Sequence, residues 1–228
     1  MDNLSKSEEK LKKLIFETGD EWALDSYVKL KSIRRHQYLY FDYLKVFGLC
    51  RALGVTNLYD IGCGQLHQAL LLSKSPDIYY TGIDSNCDFE DLNKLCIELN
   101  LNDNIKFQKA EYPFDITPAS NNIAISYYAL GALSITLKGE DAIKKAAKAL
   151  SRDFERILIT VNPEVLSIWE NELSDFALHT LGYDAEDGQT ASSIPAVLAT
   201  KFPEDISKLN DMNFNYYNNK FIIEFFIL

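Results

Sequence analysis

The chain has 228 residues, 47% of them hydrophobic and 25% charged, and a formal net charge of −10. Those proportions suit one α/β domain with a sizeable core, and no run approaches the roughly 18 apolar residues of a membrane span. The charge is uneven, +2 over residues 1–56 and −12 over residues 57–228, which disfavours broad phosphate-backbone binding and puts small molecules and proteins first as substrates.

In chain order, the start M-D-N-L-S-K-S-E-E-K lacks the apolar core of a signal peptide, so a cytoplasmic location is expected. Helical patterns follow at Ser7–Phe16 and roughly Glu21–Leu53, with Gly54 as the C-cap. Strands and helices then alternate. The strands are read at Leu58–Ile61, Ile78–Ile83, Ile105–Gln108, Ile123–Tyr127 and Ile157–Val161, and the helices at about Leu66–Lys74, Phe89–Leu99 and Glu140–Leu150. Such alternation requires right-handed crossovers and a parallel sheet covered on both faces. Pro163 suits the first turn of a helix through Glu164–Leu181, closed by Gly182. Tyr183–Asn210 reads as an irregular lid or surface excursion, and Asn213–Tyr217 with Lys220–Leu228 as an antiparallel hairpin. Cys50, Cys63, Cys87 and Cys96 have no metal-ligand spacing and read as reduced, buried thiols.

The chemistry concentrates in Asn57–Leu72, N-L-Y-D-I-G-C-G-Q-L-H-Q-A-L-L-L. A short β run stops at Gly62 and Gly64, and an apolar helix pattern starts at once. Turn glycines let the backbone approach a ligand, and the free N–H groups of a helix start favour polar or anionic atoms. Twenty residues past Gly64 the second strand ends at Asp84, placed to accept hydrogen bonds from ribose hydroxyls. Loop and acid together point to a nucleoside cofactor.

At these residues the chain resembles the class I S-adenosylmethionine-dependent methyltransferases. D-I-G-C-G at Asp60–Gly64 is similar to their first motif, and Asp84 in T-G-I-D-S-N to their ribose-binding acid. Ala110-Glu111 falls where that family places a residue beside the adenine, and N-N-I-A-I-S-Y-Y-A-L at Asn121–Leu130 resembles its fourth strand and catalytic-face loop. The resemblance implies a Rossmann-like, doubly wound, seven-stranded α/β sheet, mostly parallel with an antiparallel C-terminal hairpin strand. It covers residues 55–228, with residues 1–54 as an N-terminal helical extension. It implies S-adenosylmethionine as cofactor, held by Asp60, Gly62, Cys63, Gly64, Asp84, Ser85, Glu111 and Tyr127. Two positions depart from the pattern: Leu66 replaces a third glycine, and Tyr127-Tyr128 replaces the tetrad with which amino-methylating members hold a planar nitrogen.

Methyl transfer to oxygen or nitrogen also needs a base, for which His67, Tyr127 and Tyr128 are the candidates. The expected function is methylation of a small-molecule acceptor ahead of RNA. An RNA substrate, as for an rRNA methyltransferase, would be met through Lys31, Arg34 and Arg35. Two other classes stay open: a nicotinamide-dependent oxidoreductase, and a non-catalytic methyltransferase-fold scaffold.

Overall fold

A computed structural model describes residues 46–64, 77–98, 100–101, 103–126, 129–130, 139–184 and 194–211. The strands are β1 (Asn57–Ile61), β2 (Tyr79–Asp84), β3 (Ile105–Lys109), β4 (Asn122–Ser126), β5 (Arg156–Thr160), β6 (Ala177–Asp184) and β7 (Ile194–Thr200). The helices are α1 (Glu90–Glu98), α2 (Glu140–Asp153), α3 (Leu166–Glu172) and α4 (Pro203–Asp211), with a 3₁₀ turn at Pro163–Val165 and helical residues at 46–53. The seven strands form one sheet in the order β3-β2-β1-β4-β5-β7-β6. The first five are mutually parallel, and β7 runs antiparallel to β5 and to β6.

Period-two alternation divides the core. Every residue of β4 and β5 is buried. Ile123, Ile125, Leu158 and Leu198 point to one side, with Phe47, Leu49, Cys50 and Leu53 of the 46–53 helix and Leu92 and Cys96 of α1. Ala124, Ile157, Ile159, Val197 and Ala199 point to the other, against Ile143, Ala147 and Leu150 of α2 and Trp169 of α3. Both faces must be covered because a parallel sheet is joined by helices that pack on it.

The helix before β1 ends as its glycine predicts. Gly54 has φ +68°. Its N–H donates to the Arg51 carbonyl at 3.1 Å, and the Val55 N–H donates to the Cys50 carbonyl at 2.7 Å, the two bonds of a Schellman cap. The Asn121 side-chain amide donates to the Gly54 carbonyl at 2.6 Å, fastening the cap to the start of β4. The rest of the predicted N-terminal helices, and the helix at Leu66–Lys74, fall outside the described residues.

Two readings are corrected beyond β5. The helix expected over Glu164–Leu181 stops at Glu172, and Ala177–Asp184 is a strand. Gly182, read as a helix C-cap, lies at a register irregularity between Thr180 and Gly182, a position where glycine accommodates a bulge in a strand. The irregular excursion expected over Tyr183–Asn210 contains β7 and most of α4. The antiparallel hairpin of the sheet is therefore β6–β7, and the hairpin read at residues 213–228 lies outside the described residues. Pro195 disguised β7 as a loop. It falls before the first β7 residue paired with β5, Ala196, so its missing N–H costs no bond to that neighbour.

A buried ion pair locks the amino-terminal edge of the parallel strands. Arg156, first residue of β5, donates through Nε to Asp205 Oδ2 at 2.7 Å, and the same oxygen accepts the Thr200 hydroxyl at 2.7 Å. The two charged side chains are 8% and 1% exposed. The Arg156 guanidinium also stacks 4.3 Å from the Phe202 ring centroid. Removing one partner strands the other charge in the interior, so Asp205→Ala is expected to lower unfolding free energy by about 3–5 kcal/mol in urea titration. Burial pushes the Cys50 thiol up to about 12 and the Cys96 thiol up to about 11, from 9.0. Above pH 9 the unfolded thiols release protons that the folded ones retain, so stability falls as pH rises between 9 and these values. The urea midpoint should decline over this window, and less steeply in Cys96→Ala.

Candidate functional site

The site lies at the carboxyl edge of β1 and β2, where open α/β sheets place their ligands. β1 leads directly into the glycine turn, and the ladder to β2 continues past it: the N–H groups of Gly62 and Cys63 donate to the Ile83 carbonyl at 2.7 and 3.2 Å. Gly62 and Gly64 have φ +81° and +61°, a region that side chains enter at a cost. Gly62 is constrained twice, since a Cβ there would sit 2.3 Å from the Ala129 Cβ, in the segment after β4. The fit of these two segments depends on the missing side chain.

Asp84, the last residue of β2, holds this turn. Its Oδ2 accepts the Gly64 N–H at 3.1 Å and its Oδ1 accepts the Asn86 N–H at 2.8 Å. An ionised carboxylate has about four acceptor positions. These two bonds fix its plane and leave capacity for hydroxyl donors on a partly exposed side chain. The Ala110 N–H donates to the Asp84 carbonyl at 3.0 Å, bringing the end of β3 alongside. Ser85 and Glu111 are exposed on either side of this junction.

Asp60 is 1% exposed. Its Oδ2 accepts the Tyr80 hydroxyl at 2.8 Å. Cys63 is buried, and its thiol donates to the Gly64 carbonyl at 3.3 Å. Burial first, then the nearby charges of Asp60 and Asp84, raises the Cys63 pKa well above its usual value, so the thiol stays protonated and is no nucleophile at neutral pH.

The structure thus brings Asp60, Gly62, Cys63, Gly64 and Asp84 together, with Ser85 and Glu111 beside them. His67, Tyr127 and Tyr128 lie outside the described residues, as do Lys31, Arg34 and Arg35. Sequence reasoning missed two members. The Ser126 hydroxyl donates to the Ile61 carbonyl at 3.1 Å and accepts the Leu130 N–H at 2.9 Å, tying the end of β1 to the segment after β4. Its signal was a lone hydroxyl closing the apolar strand N-I-A-I-S. Tyr80 was the other, a tyrosine on a buried strand face whose hydroxyl needs a partner.

No protein-family model matches this sequence, and no curated protein sequence matches it. Solved structures do resemble the fold. The bifunctional kinase-methyltransferase WbdD aligns with TM-score 0.52 and 18% identity over 72% of this chain and 39% of its own. Mitomycin 7-O-methyltransferase MmcR aligns with TM-score 0.50 and 13% identity over 83% of this chain and 60% of its own. An O-methyltransferase family protein from Burkholderia thailandensis aligns with TM-score 0.51 and 10% identity over 80% of this chain and 60% of its own. The chain spans between about two fifths and three fifths of the length of these three proteins. With its strand order and reversed β7, it has the Rossmann-like fold of the class I S-adenosylmethionine-dependent methyltransferases.

Proposed function

We propose that this chain is an S-adenosylmethionine-dependent methyltransferase acting on an oxygen or nitrogen of a small-molecule acceptor. The observation that carries this reading is the Asp84 carboxylate, held by the Gly64 N–H at the mouth of a methyltransferase-fold sheet. In this reading the ribose hydroxyls bind Asp84, with Ser85 beside them. The adenine lies towards Glu111 at the end of β3, and the rest of the cofactor passes over Asp60, Gly62, Cys63 and Gly64. The cavity where a Gly62 side chain would stand is already filled by Ala129, so backbone rather than side chain faces the cofactor.

The bound sulfonium supplies an activated methyl group. The protein's work is to align the acceptor, exclude water and accept the acceptor's proton. His67, Tyr127 and Tyr128 are proposed for the acceptor side, Tyr127 also touching the cofactor. A small acceptor is favoured over RNA because residues 57–228 carry a formal charge of −12, which disfavours broad phosphate-backbone binding. A nicotinamide cofactor is disfavoured by the sheet: the dinucleotide fold continues in parallel order after its fifth strand, whereas here antiparallel β7 lies between β5 and β6.

Calorimetric titration should give micromolar binding of S-adenosylmethionine and of S-adenosylhomocysteine, and none of NAD. Asp84→Ala should weaken both by at least about tenfold, since it deletes a charged acceptor and frees the glycine turn. Binding of NAD alone would overturn the reading. Gly62→Ala joins a positive φ to a backed-up Cβ. It should lower stability by about 1–3 kcal/mol in thermal unfolding and weaken the cofactor more than Asp84→Ala does. Transfer of radiolabelled methyl from the cofactor to a panel of phenols, alcohols and amines then tests turnover. Tight cofactor binding with no transfer to any acceptor class, RNA included, would favour a scaffold role.

A further inference from the structure

Tyr80 has no part in the cofactor contacts proposed above, yet it reaches the site from below. In the β1–β2 register Leu58 faces Tyr80 and Asp60 faces Gly82, so Asp60 and Tyr80 lie diagonally on one sheet face. On that face the Asp60 carboxylate receives the Tyr80 hydroxyl at 2.8 Å, and the place where a Gly82 side chain would stand is taken by Phe107 and Cys63. The space is tight. A Cβ on Gly82 would stand 2.8 Å from the Phe107 ring and 2.9 Å from Cys63 Sγ. The Tyr80 ring packs 5.7 Å from Phe107, which stacks 5.3 Å from Phe89, so a row of aromatic rings sets where the hydroxyl points. Tyr80 and Asp60 are each 1% exposed, directly beneath the turn that begins at Gly62.

The strand order gives this pair a direction. Along the carboxyl edge the strands run β3, β2, β1, β4. With a ribose on Asp84 at β2 and the base towards β3, the remaining part of the cofactor extends over β1 and β4. That part carries an ammonium group, and Asp60 is the only carboxylate that β1 or β4 contains. In a buried, weakly screened setting, the orientation of one carboxylate governs how strongly it attracts a nearby cation.

We infer that Tyr80 is a positioning residue for the amino-acid end of the cofactor, acting through its hydrogen bond to Asp60. This rests on the cofactor reading above. The ligands that separate the two are S-adenosylhomocysteine, which has the amino-acid end, and adenosine, which lacks it. Calorimetry with both is run on the wild type, Asp84→Ala, Tyr80→Phe, Asp60→Asn and the Tyr80→Phe/Asp60→Asn double variant, with thermal melting to verify folding. Tyr80→Phe removes only the hydroxyl and should weaken S-adenosylhomocysteine about tenfold while leaving adenosine within about twofold. Asp84→Ala should weaken both ligands. In the Asp60→Asn background the Tyr80 change should add nothing further.

Equal losses for the two ligands in Tyr80→Phe would make Tyr80 a prop for the turn and overturn the inference. So would no loss at all, or a full loss persisting without the Asp60 charge. A wild type that binds neither ligand would remove the cofactor reading and this inference with it. A wild type that binds both, beside an unaffected Tyr80→Phe, would remove this inference alone. Should Asp60→Asn fail to fold, the two-ligand comparison on Tyr80→Phe decides by itself.

Discussion

The Asp84 carboxylate, with the Gly64 N–H on one oxygen and the Asn86 N–H on the other, is the contact around which the carboxyl edge of this sheet is arranged. Hydrogen bonds to an ionised acceptor are roughly twice as strong as neutral ones. The Gly64 bond joins two peptide segments that sequence separates by twenty residues, while the Asn86 bond is local and orients the carboxylate at the end of β2. Beside the turn Ala129 occupies the space over Gly62, and the Ser126 hydroxyl ties the end of β1 to the segment after β4.

The two edges of the sheet are built on different physical terms. At the amino edge, charge is buried and matched: Arg156 on Asp205, with Thr200 on the same carboxylate oxygen and Phe202 beneath the guanidinium. Asn122 and Glu155 exchange hydrogen bonds through backbone and side chain next to them. At the carboxyl edge the carboxylates of Asp84 and Glu111 reach solvent. Stability can thus be concentrated at one edge, while the other keeps hydrogen-bond acceptors exposed.

Much of this was legible in the sequence because the relevant signals are local. Five β-branched runs bounded by turn residues gave β1 to β5 within one or two residues, and the pair of glycines and the acid ending strand two are brought into contact as their spacing suggested. What escaped was non-local. Gly182 and Pro195 act locally as breakers, but in the folded sheet one absorbs a register irregularity and the other lies outside the β5 pairing. Neither role can be known before the strand's neighbours are known. The contributions of Tyr80 and Ser126 likewise depend on which residue stands opposite, a fact of register rather than of composition.

The position of β7 between β5 and β6 also orders the events of assembly. Among the described residues β6 pairs with β7 alone, so within the described sheet residues 177–184 gain their neighbour only once residues 194–200 have been made. On the ribosome the five parallel strands can associate first, while the exposed flank of β5 waits with its hydrogen-bonding groups unsatisfied. β7 must then enter against the direction of β5 and bring β6 in with it as a single hairpin. The half of the sheet that carries the glycine turn can therefore take shape early, while the far flank closes as a late, cooperative step whose failure would leave an open strand edge prone to pairing with another chain.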